Sequence, residues 1–502
     1  MKKFTSLLLS MLILLTSFGN YNIYGSNVTI SDDANVTIND SANQTNLIET
    51  ENSSENANEQ EIVENDKEND KENDKENDNS NNDISSEDEE ILVQSADEEI
   101  AVTSLTTRDF TVDGPSNGFS YDNSNGVLTI SSAGTYTISS RTGTSSIHQR
   151  IVVTASAEVI LNGMNLDPAD EAALEVQGNS ATNTSDNVTA TIKLKGTNTL
   201  TTREINCAGL QLSNGANVIL ENGAAESETV GSLTATGENR GAGIGSGFKG
   251  TAGDITISGG TVTATGGVHG AGIGLGYNGT VGNITITGGS VKAMNSSGTV
   301  DSISPAPTSD GTTSVYLGIL ENQDRVQCIT VDNVDYKVAG NHPDGDNNFY
   351  LYMTGTNHII AGNSWYTASY DSSSNNFTFN IKDLEVRNEE GNLASDVCSY
   401  ESDVVTISAT DAEKIYTVKL KDGITQTSDR IVINTNATII LENVNINTSA
   451  GTPLEVQGNS AANASDNVTA TIKLKGENIL TTTNINCAGL QLSNGANVIL
   501  EN

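Results

Sequence analysis

The sequence predicts an all-β protein built around a parallel β-solenoid that occurs in two copies. Residues 150–222 realign on residues 430–502 without a gap, and 50 of the 73 positions are identical. A shorter repeat of 29 residues lies inside the first copy. The chain has 47 glycines, six prolines and only 4% aromatic residues, and with its many Thr, Ser and Asn this favours short strands and tight turns over helices.

The 29-residue repeat determines the predicted architecture. Residues 233–260 realign on residues 262–289, and each unit holds three short strand-like segments separated by Gly or Asn turns. A segment of this length cannot bury its apolar face alone, whereas stacking one unit on the next does so. A β-sandwich fits less well, because identical strands pair most simply in parallel with their own copies. A calcium-binding roll fits less well, because it needs repeated Gly-Gly-x-Gly-x-Asp and the Gly-Gly pairs here do not continue in that way. The predicted stack places Ile244 over Ile273, Ile255 over Ile284 and Ile257 over Ile286.

The amino-terminal quarter predicts export and a flexible arm. Lys2 and Lys3 precede an apolar run over residues 7–18, which spans about 18 Å as a helix and is too short for a bilayer core of roughly 30 Å. Residues 1–25 are therefore predicted to be a signal peptide. Residues 46–100 hold 21 acids and three lysines, so residues 26–104 are predicted to be a disordered acidic linker.

The charge and hydropathy of the whole chain exclude two classes of partner. The formal net charge is -40 and the sequence has no Lys/Arg cluster, so binding to nucleic acid is not expected. We expect no membrane span after signal cleavage, since no later segment is apolar enough. The second copy stops where the first continues into glycine-rich coils, so we expect it to be incomplete, with attachment to the cell wall through a missing carboxyl-terminal region.

The region between the copies has a different composition. Residues 299–400 hold 11 of the chain's 22 aromatic residues and its only Trp. Phe349-Tyr-Leu-Tyr-Met353 alternates cleanly, which predicts a strand with one face toward a core. The predicted organisation is a first β-helix over residues 105–298, a small β-sandwich-like module over 299–389, and a second, truncated β-helix over 390–502.

Several of these motifs resemble a known family. Asp109-Phe-Thr-Val, Gly126-Val-Leu-Thr-Ile, Arg150-Ile-Val-Val and the two Gly-Ala-Gly-Ile-Gly units are similar to those of secreted surface proteins of Gram-positive gut bacteria. The resemblance implies a carbohydrate-binding-type, right-handed parallel β-helix related in shape to pectin-degrading enzymes. Asn341-His-Pro-Asp followed by Tyr350-Leu-Tyr resembles the small β module that often accompanies it.

Aromatic side chains are the candidate ligand-binding residues. Phe248 and Tyr277 are equivalent in the 29-residue repeat and should stack one coil apart, either facing outward as a platform for a sugar or packed against the coil. The middle module has more aromatic residues than one core face requires, so some are predicted to stack on sugar rings. These further candidates are Trp365, Tyr366, Tyr370, Tyr350 and Tyr352.

No catalytic, metal or cofactor site is predicted. The sequence shows neither the calcium-binding acids with a basic residue that a lyase needs nor a pair of carboxylates spaced for glycoside hydrolysis. Arg240 and His269 share one repeat position and could meet an acidic sugar, although such residues are more often solvated turn positions. Asp344-Gly-Asp346 lacks the rest of a calcium loop and is expected to form a polar turn. Whether Cys328 and Cys398 form a disulfide stays open.

The function predicted is non-catalytic binding outside the cell or on its surface, with a polysaccharide or host glycan as partner, in an adhesin-like role. A rigid solenoid exposing stacked rows, such as Lys193 with Lys195 and Thr256 over Thr285, suits a repeating polymer. The enzymatic alternative is a polysaccharide lyase or glycoside hydrolase acting on pectin-like polymers. A purely structural surface stalk is the third hypothesis.

Overall fold

The computed structural model describes most of the chain after residue 108. The described residues are 109–141, 147–180, 187–225, 228–300, 302–323, 326, 328–338, 347–409, 414–459 and 467–502, with the backbone course of three earlier strands at 26–30, 36–40 and 102–106. The predicted signal peptide and the acidic run at 46–100 lie outside these ranges. Two early strands, β1 (Ser26–Ile30) and β2 (Val36–Asp40), pair antiparallel within a unit, Met1–Ile84, that is separate from Ser85–Asn502. They fall within the predicted linker, where Asn-Val-Thr-Ile occurs twice.

The first solenoid consists of three sheets whose strands succeed one another coil by coil. Two sheets have eight strands each and the third has five. From β8 onward the strands of all three sheets run parallel, as the repeat predicted. Its strands are β3 (Val102–Thr106), β4 (Phe110–Pro115), β5 (Phe119–Asp122), β6 (Val127–Ile130), β7 (Thr135–Ser140), β8 (Arg150–Val153), β9 (Glu158–Asn162), β10 (Asn165–Leu166), β11 (Leu174–Gln177), β12 (Thr189–Lys195), β13 (Thr197–Thr201), β14 (Leu210–Ser213), β15 (Asn217–Asn222), β16 (Ser232–Thr236), β17 (Ile244–Gly245), β18 (Ile255–Ile257), β19 (Thr261–Thr265), β20 (Ile273–Gly274), β21 (Ile284–Ile286), β22 (Ser290–Met294) and β23 (Ile303–Ser304).

The register of the coils confirms the predicted stack. β17 pairs with β20 so that Ile244 lies opposite Ile273. β18 pairs with β21 so that Ile255 and Ile257 lie opposite Ile284 and Ile286. All of these isoleucines are buried in one core, and burying each side chain contributes about 1.5–3 kcal/mol. The outward Thr256 lies opposite Thr285 in the same ladder, also as predicted.

Each solenoid begins with antiparallel strands before the parallel coils start. In the first solenoid β3 and β4 pair antiparallel, as do β4 and β7. The second solenoid starts in the same way, with β31 (Leu384–Arg387) antiparallel to β34 (Ile415–Leu420). Leu384–Arg387 and Ile303–Ser304, both inside the range 299–389 predicted for the middle module, therefore pair within the solenoid sheets.

The middle module is a small antiparallel sandwich. A two-stranded sheet, β24 with β27, packs with a five-stranded sheet in the order β26-β25-β28-β29-β30. Side chains from both sheets form one core, including Leu320, Phe349, Leu351, Ile360 and Ala368. The strands are β24 (Val315–Leu320), β25 (Cys328–Val331), β26 (Val334–Lys337), β27 (Phe349–Thr354), β28 (His358–Ala361), β29 (Trp365–Asp371) and β30 (Asn376–Ile381).

The second solenoid repeats the first over its shorter length. Its parallel pairs reproduce the earlier ones, with β36 against β39 and β38 against β41. Its remaining strands are β32 (Cys398–Glu401), β33 (Val404–Ile407), β35 (Arg430–Ile433), β36 (Ala437–Glu442), β37 (Asn445–Thr448), β38 (Leu454–Gln457), β39 (Thr469–Lys475), β40 (Ile479–Thr482), β41 (Leu490–Ser493) and β42 (Asn497–Glu501). Among the described residues, no helix is long and apolar enough to cross a membrane.

The two copies show directly what coil stacking does for an apolar side chain. Leu212 on β14 is fully buried, because β17 of the next coil continues its sheet. Its equivalent Leu492 on β41 is 46% exposed, and within the described residues β41 pairs only with β38. The same residue in the same motif is thus core or surface according to whether another coil lies over it.

Candidate functional site

Four of the aromatic residues predicted to stack on sugars are core residues, and for them the prediction is corrected. Trp365, Tyr350, Tyr352 and Tyr366 are all buried, with Trp365 only 1% exposed. A side chain without an accessible ring face cannot stack on a ligand.

The reason for this burial is that the middle module contacts a solenoid on each side. Phe349 and Leu351 face the module's own core, as the alternation predicted. The opposite face is covered as well, because Tyr352 packs into the core of the first solenoid. Trp365 packs into the core of the second solenoid, next to Tyr400. These rings close the ends of two stacks whose terminal coils would otherwise expose apolar side chains.

Tyr350 and Tyr366 are held by polar contacts around their rings. The Lys292 ammonium lies 5.0 Å from the Tyr350 ring centre. The backbone N–H of Tyr350 donates to Ser290 Oγ on the first solenoid at 3.0 Å. The Tyr366 hydroxyl donates to Asn363 Oδ1 at 2.6 Å inside the module. Tyr350 is therefore linked to the first solenoid, whereas the contact of Tyr366 lies within the middle module.

Phe248 and Tyr277 stack as predicted and lie on the outside of the first solenoid. Their ring centroids are 6.0 Å apart and their planes differ by 8°. Phe248 is half-buried and Tyr277 is 43% exposed. The pair therefore presents an aromatic surface to solvent, in agreement with the outward-facing alternative.

Backbone hydrogen bonds between neighbouring coils fix the position of both rings. Phe248 N–H donates to Asn206 O at 2.8 Å, and Tyr277 N–H donates to Arg240 O at 2.8 Å. The chain passes so closely at Gly276 that a Cβ there would lie 2.5 Å from the backbone oxygen of Gly247. Glycine is required at this position, which explains why the loop that carries the rings is glycine-rich.

Basic side chains surround the ring pair. The guanidinium carbon of Arg240 lies 4.9 Å from the Phe248 ring centre, and Lys249 Nζ lies 5.0 Å from it. Arg240 Nη1 also donates to Asn206 Oδ1 at 3.5 Å. The exposed His269 ring lies 5.1 Å from the Tyr277 ring. The equivalent positions Arg240 and His269 thus both lie beside the stacked rings.

The exposed large apolar residues of the first solenoid gather at the same corner. Within its described residues they are Tyr277, Val268 at 65% exposure and Ile205 at 48%. Arg240 N–H donates to Ile205 O at 2.9 Å, so successive loops are in direct contact. We call this surface the corner patch, and define it by Ile205, Arg240, Phe248, Lys249, Val268, His269 and Tyr277. Ile205 and Val268 were not predicted from the sequence. The feature that could have identified them is an apolar residue inside a polar or glycine-rich loop.

Other predicted surface features take part in ion pairs. Lys193 Nζ lies 2.6 Å from Glu158 Oε2, and Lys195 Nζ lies 2.7 Å from Glu228 Oε1. The ion pairs therefore partly neutralise the charge of the two lysines that were predicted to form a row for binding a polymer. In the described ranges no three His, Cys, Asp or Glu side chains come together as a metal site. All four cysteines are free, which answers the question about Cys328 and Cys398.

Tyr370 is half-buried on the middle module, away from the corner patch. Its ring contacts those of Tyr316 and Phe377, at centroid distances of 4.9 and 5.2 Å. Partial desolvation and a hydrogen bond with Tyr316 raise the pKa of Tyr370 to about 12, so its phenol stays protonated at neutral pH. Of the five middle-module candidates, Tyr370 alone keeps a half-exposed ring.

Similarity to known proteins points to the architecture. A family model described as a β-helix repeat matches residues 231–248 and 255–277, the segments that carry Phe248 and Tyr277. No match was found among curated proteins or among solved structures. The matched segments lie in the first solenoid, and the parallel register of its coils agrees with the β-helix repeat architecture that the family model describes.

Proposed function

We propose that this protein is a non-catalytic polysaccharide-binding protein that is exported and acts outside the cell or on its surface. The observation that supports this function best is the stacked Phe248–Tyr277 pair, in which Tyr277 is exposed beside the other exposed apolar groups of the first solenoid. Clustered exposed apolar side chains on a folded surface mark binding sites.

A sugar is the ligand whose chemistry matches the corner patch. A pyranose ring has faces rich in C–H groups, which pack on aromatic rings, and hydroxyl groups at its edge. Tyr277 and Val268 offer the apolar contact, while Lys249, His269 and Arg240 offer polar groups around it. A site of this composition orients an amphipathic ligand through its polar rim.

A polymer fits better than a single sugar because the surface itself repeats. The coils succeed one another at about 4.8 Å, and equivalent residues such as Thr256 and Thr285 lie opposite one another. A chain of identical sugar units can make the same contact on successive coils.

Two other functions compete with this one. A polysaccharide lyase or glycoside hydrolase would cleave its ligand, and a structural stalk would bind none. The purified protein should be screened against plant and host polysaccharides, with reducing ends and unsaturated uronates measured in the same samples. We expect retention of at least one polysaccharide without cleavage. Cleavage would support the enzyme, and the absence of any retention would support the stalk.

The repeat supplies a matched control for the site. Ile205 and Ile485 occupy the same motif in the two copies, and both are exposed. Within the described residues, stacked rings lie beside the loop of Ile205 and none lie beside that of Ile485. Ile205→Ala should weaken retention, whereas Ile485→Ala should leave it unchanged. An equal effect of both substitutions would place the binding elsewhere.

A further inference from the structure

A cleft of about 670 Å³ lies where the middle module meets the end of the first solenoid. Four segments form it: the last coil of the solenoid, the connection from that coil to β24, strand β24, and the turn into β30 with the first residues of that strand. Its walls include Ile303, Ser314, Tyr316, Asn375, Asn376 and Phe377. Its volume is within the range of about 300–1,000 Å³ that is usual for ligand sites, and junctions between domains are a preferred location for them.

The described residues that line this cleft carry no carboxylate, amine, guanidinium or imidazole group. The chain as a whole has a formal net charge of -40. The cleft at the module's other side, toward the second solenoid, is lined by the acidic residues Asp335 and Asp396. An uncharged cleft on a strongly acidic protein selects for an uncharged ligand, because a charged one would lose hydration without gaining a counter-charge.

One wall is aromatic and ends in exposed amides. The rings of Tyr316 and Phe377 both contact Tyr370, at centroid distances of 4.9 and 5.2 Å. Its hydroxyl donates to Asn375 Oδ1 at 2.8 Å, which fixes the orientation of that amide. Asn375 and Asn376 are both exposed. Half-exposed rings beside amide donors and acceptors are the two kinds of group that contact the C–H face and the hydroxyls of a sugar.

We propose that this cleft is a second binding site, which takes an uncharged saccharide unit. The mixture of Ser314, Asn375 and Asn376 with rings fits a hydroxyl-rich ligand better than an apolar peptide. The inference rests on the proposed function for the class of ligand, but it uses no residue of the corner patch. Two sites on one rigid unit would hold a polysaccharide at two points and raise its overall affinity.

The test compares two asparagines on one strand. Asn376 and Asn380 are both exposed on β30, four residues apart and so on the same face, but only Asn376 lines the cleft. Binding of neutral gluco-, xylo- and manno-oligosaccharides, and of galacturonate oligomers of equal length, is measured by calorimetry on the full protein. We expect a neutral oligosaccharide to bind, Asn376→Ala to weaken it at least fivefold, and Asn380→Ala to change it less than twofold.

A Tyr277→Ala variant separates this inference from the proposed function. If Tyr277→Ala abolishes binding and Asn376→Ala has no effect, the cleft is not a site, while the corner patch stands. If only Asn376→Ala weakens binding, the cleft stands and the corner patch fails. Binding of the uronate oligomers alone, or displacement of the sugar by an apolar peptide, would overturn the neutral-saccharide assignment.

Discussion

Phe248 and Tyr277 are separated by one 29-residue repeat and stack with their planes 8° apart. The same periodicity that places Ile244 on Ile273 inside the core also places one ring on the other outside it. Coil stacking thus accounts for both the stability of the solenoid and the shape of its candidate binding surface.

Covered and uncovered copies of one leucine should differ in their effect on stability. Leu212 is fully buried and Leu492 is 46% exposed. Leu212→Ala should lower the free energy of unfolding by about 2–5 kcal/mol through lost burial and a cavity. Leu492→Ala should cost less than about 1 kcal/mol. Thermal unfolding of both variants measures this, and equal shifts would contradict the role assigned to the covering coil.

Trp365 should stabilise the protein through its volume and not through its indole N–H. Its ring is buried against the second solenoid, and Nε1 has no hydrogen-bond partner among the described residues. Trp365→Ala should therefore cost about 3–5 kcal/mol. Trp365→Phe should cost clearly less, because it removes an unpaired donor while it keeps most of the ring. Melting temperatures of the two variants provide the comparison; similar losses would mean that the N–H matters.

Glu385 should make the junction of the middle module and the second solenoid sensitive to acid. Burial raises its pKa, but the hydrogen bond from Ser364 and the charges of Arg387 and Lys421 outweigh this, so the pKa lies below its ordinary value. A depressed folded-state pKa gives stability that is present above the unfolded value of about 4.3 and is lost as the pH falls through the folded value.

The corresponding experiment compares wild type with Glu385→Gln. The variant leaves the half-buried cations Arg387 and Lys421 without a counter-charge. Because solvent partly screens these cations, it should lose roughly 1–2 kcal/mol at neutral pH. As the pH falls from about 5 through the lowered folded-state pKa of Glu385, the wild type should lose more stability than the variant, so that their melting temperatures converge. A difference that stays constant over this range would show that Glu385 does not titrate in the way described.

The equivalent thiols Cys207 and Cys487 should react at different rates. Burial, with smaller contributions from Glu171 and Glu204, raises the pKa of Cys207 to about 12. Cys487 is half-buried in the same Ile-Asn-Cys-Ala-Gly-Leu motif. A thiol reagent at about pH 8 should therefore modify Cys487 first, since Cys207 is both less accessible and held in its unreactive protonated form. Peptide mapping after timed labelling shows the order, and faster modification of Cys207 would be incompatible with its burial.

Features that repeat along the chain can be predicted from the sequence, whereas contacts that occur only once cannot. The pairing of Ile257 with Ile286 follows from the 29-residue offset, because each coil provides the environment of the next. The burial of Tyr352 could not be predicted, because the alternation of side chains along its strand is the same whether its face lies against solvent or against a solenoid. The cleft beside Tyr316 also could not be predicted, because its walls come from segments far apart in the chain.

The most direct test of the proposed function is the affinity of Tyr277 variants for the polysaccharide that the wild-type protein retains, measured by affinity electrophoresis. Tyr277→Ala should weaken binding about tenfold or more, as expected for an exposed aromatic residue that contributes over about 1.4 kcal/mol. Tyr277→Phe, which keeps the stacked ring, should stay within about threefold of wild type. Wild-type affinity in Tyr277→Ala would contradict binding at the corner patch.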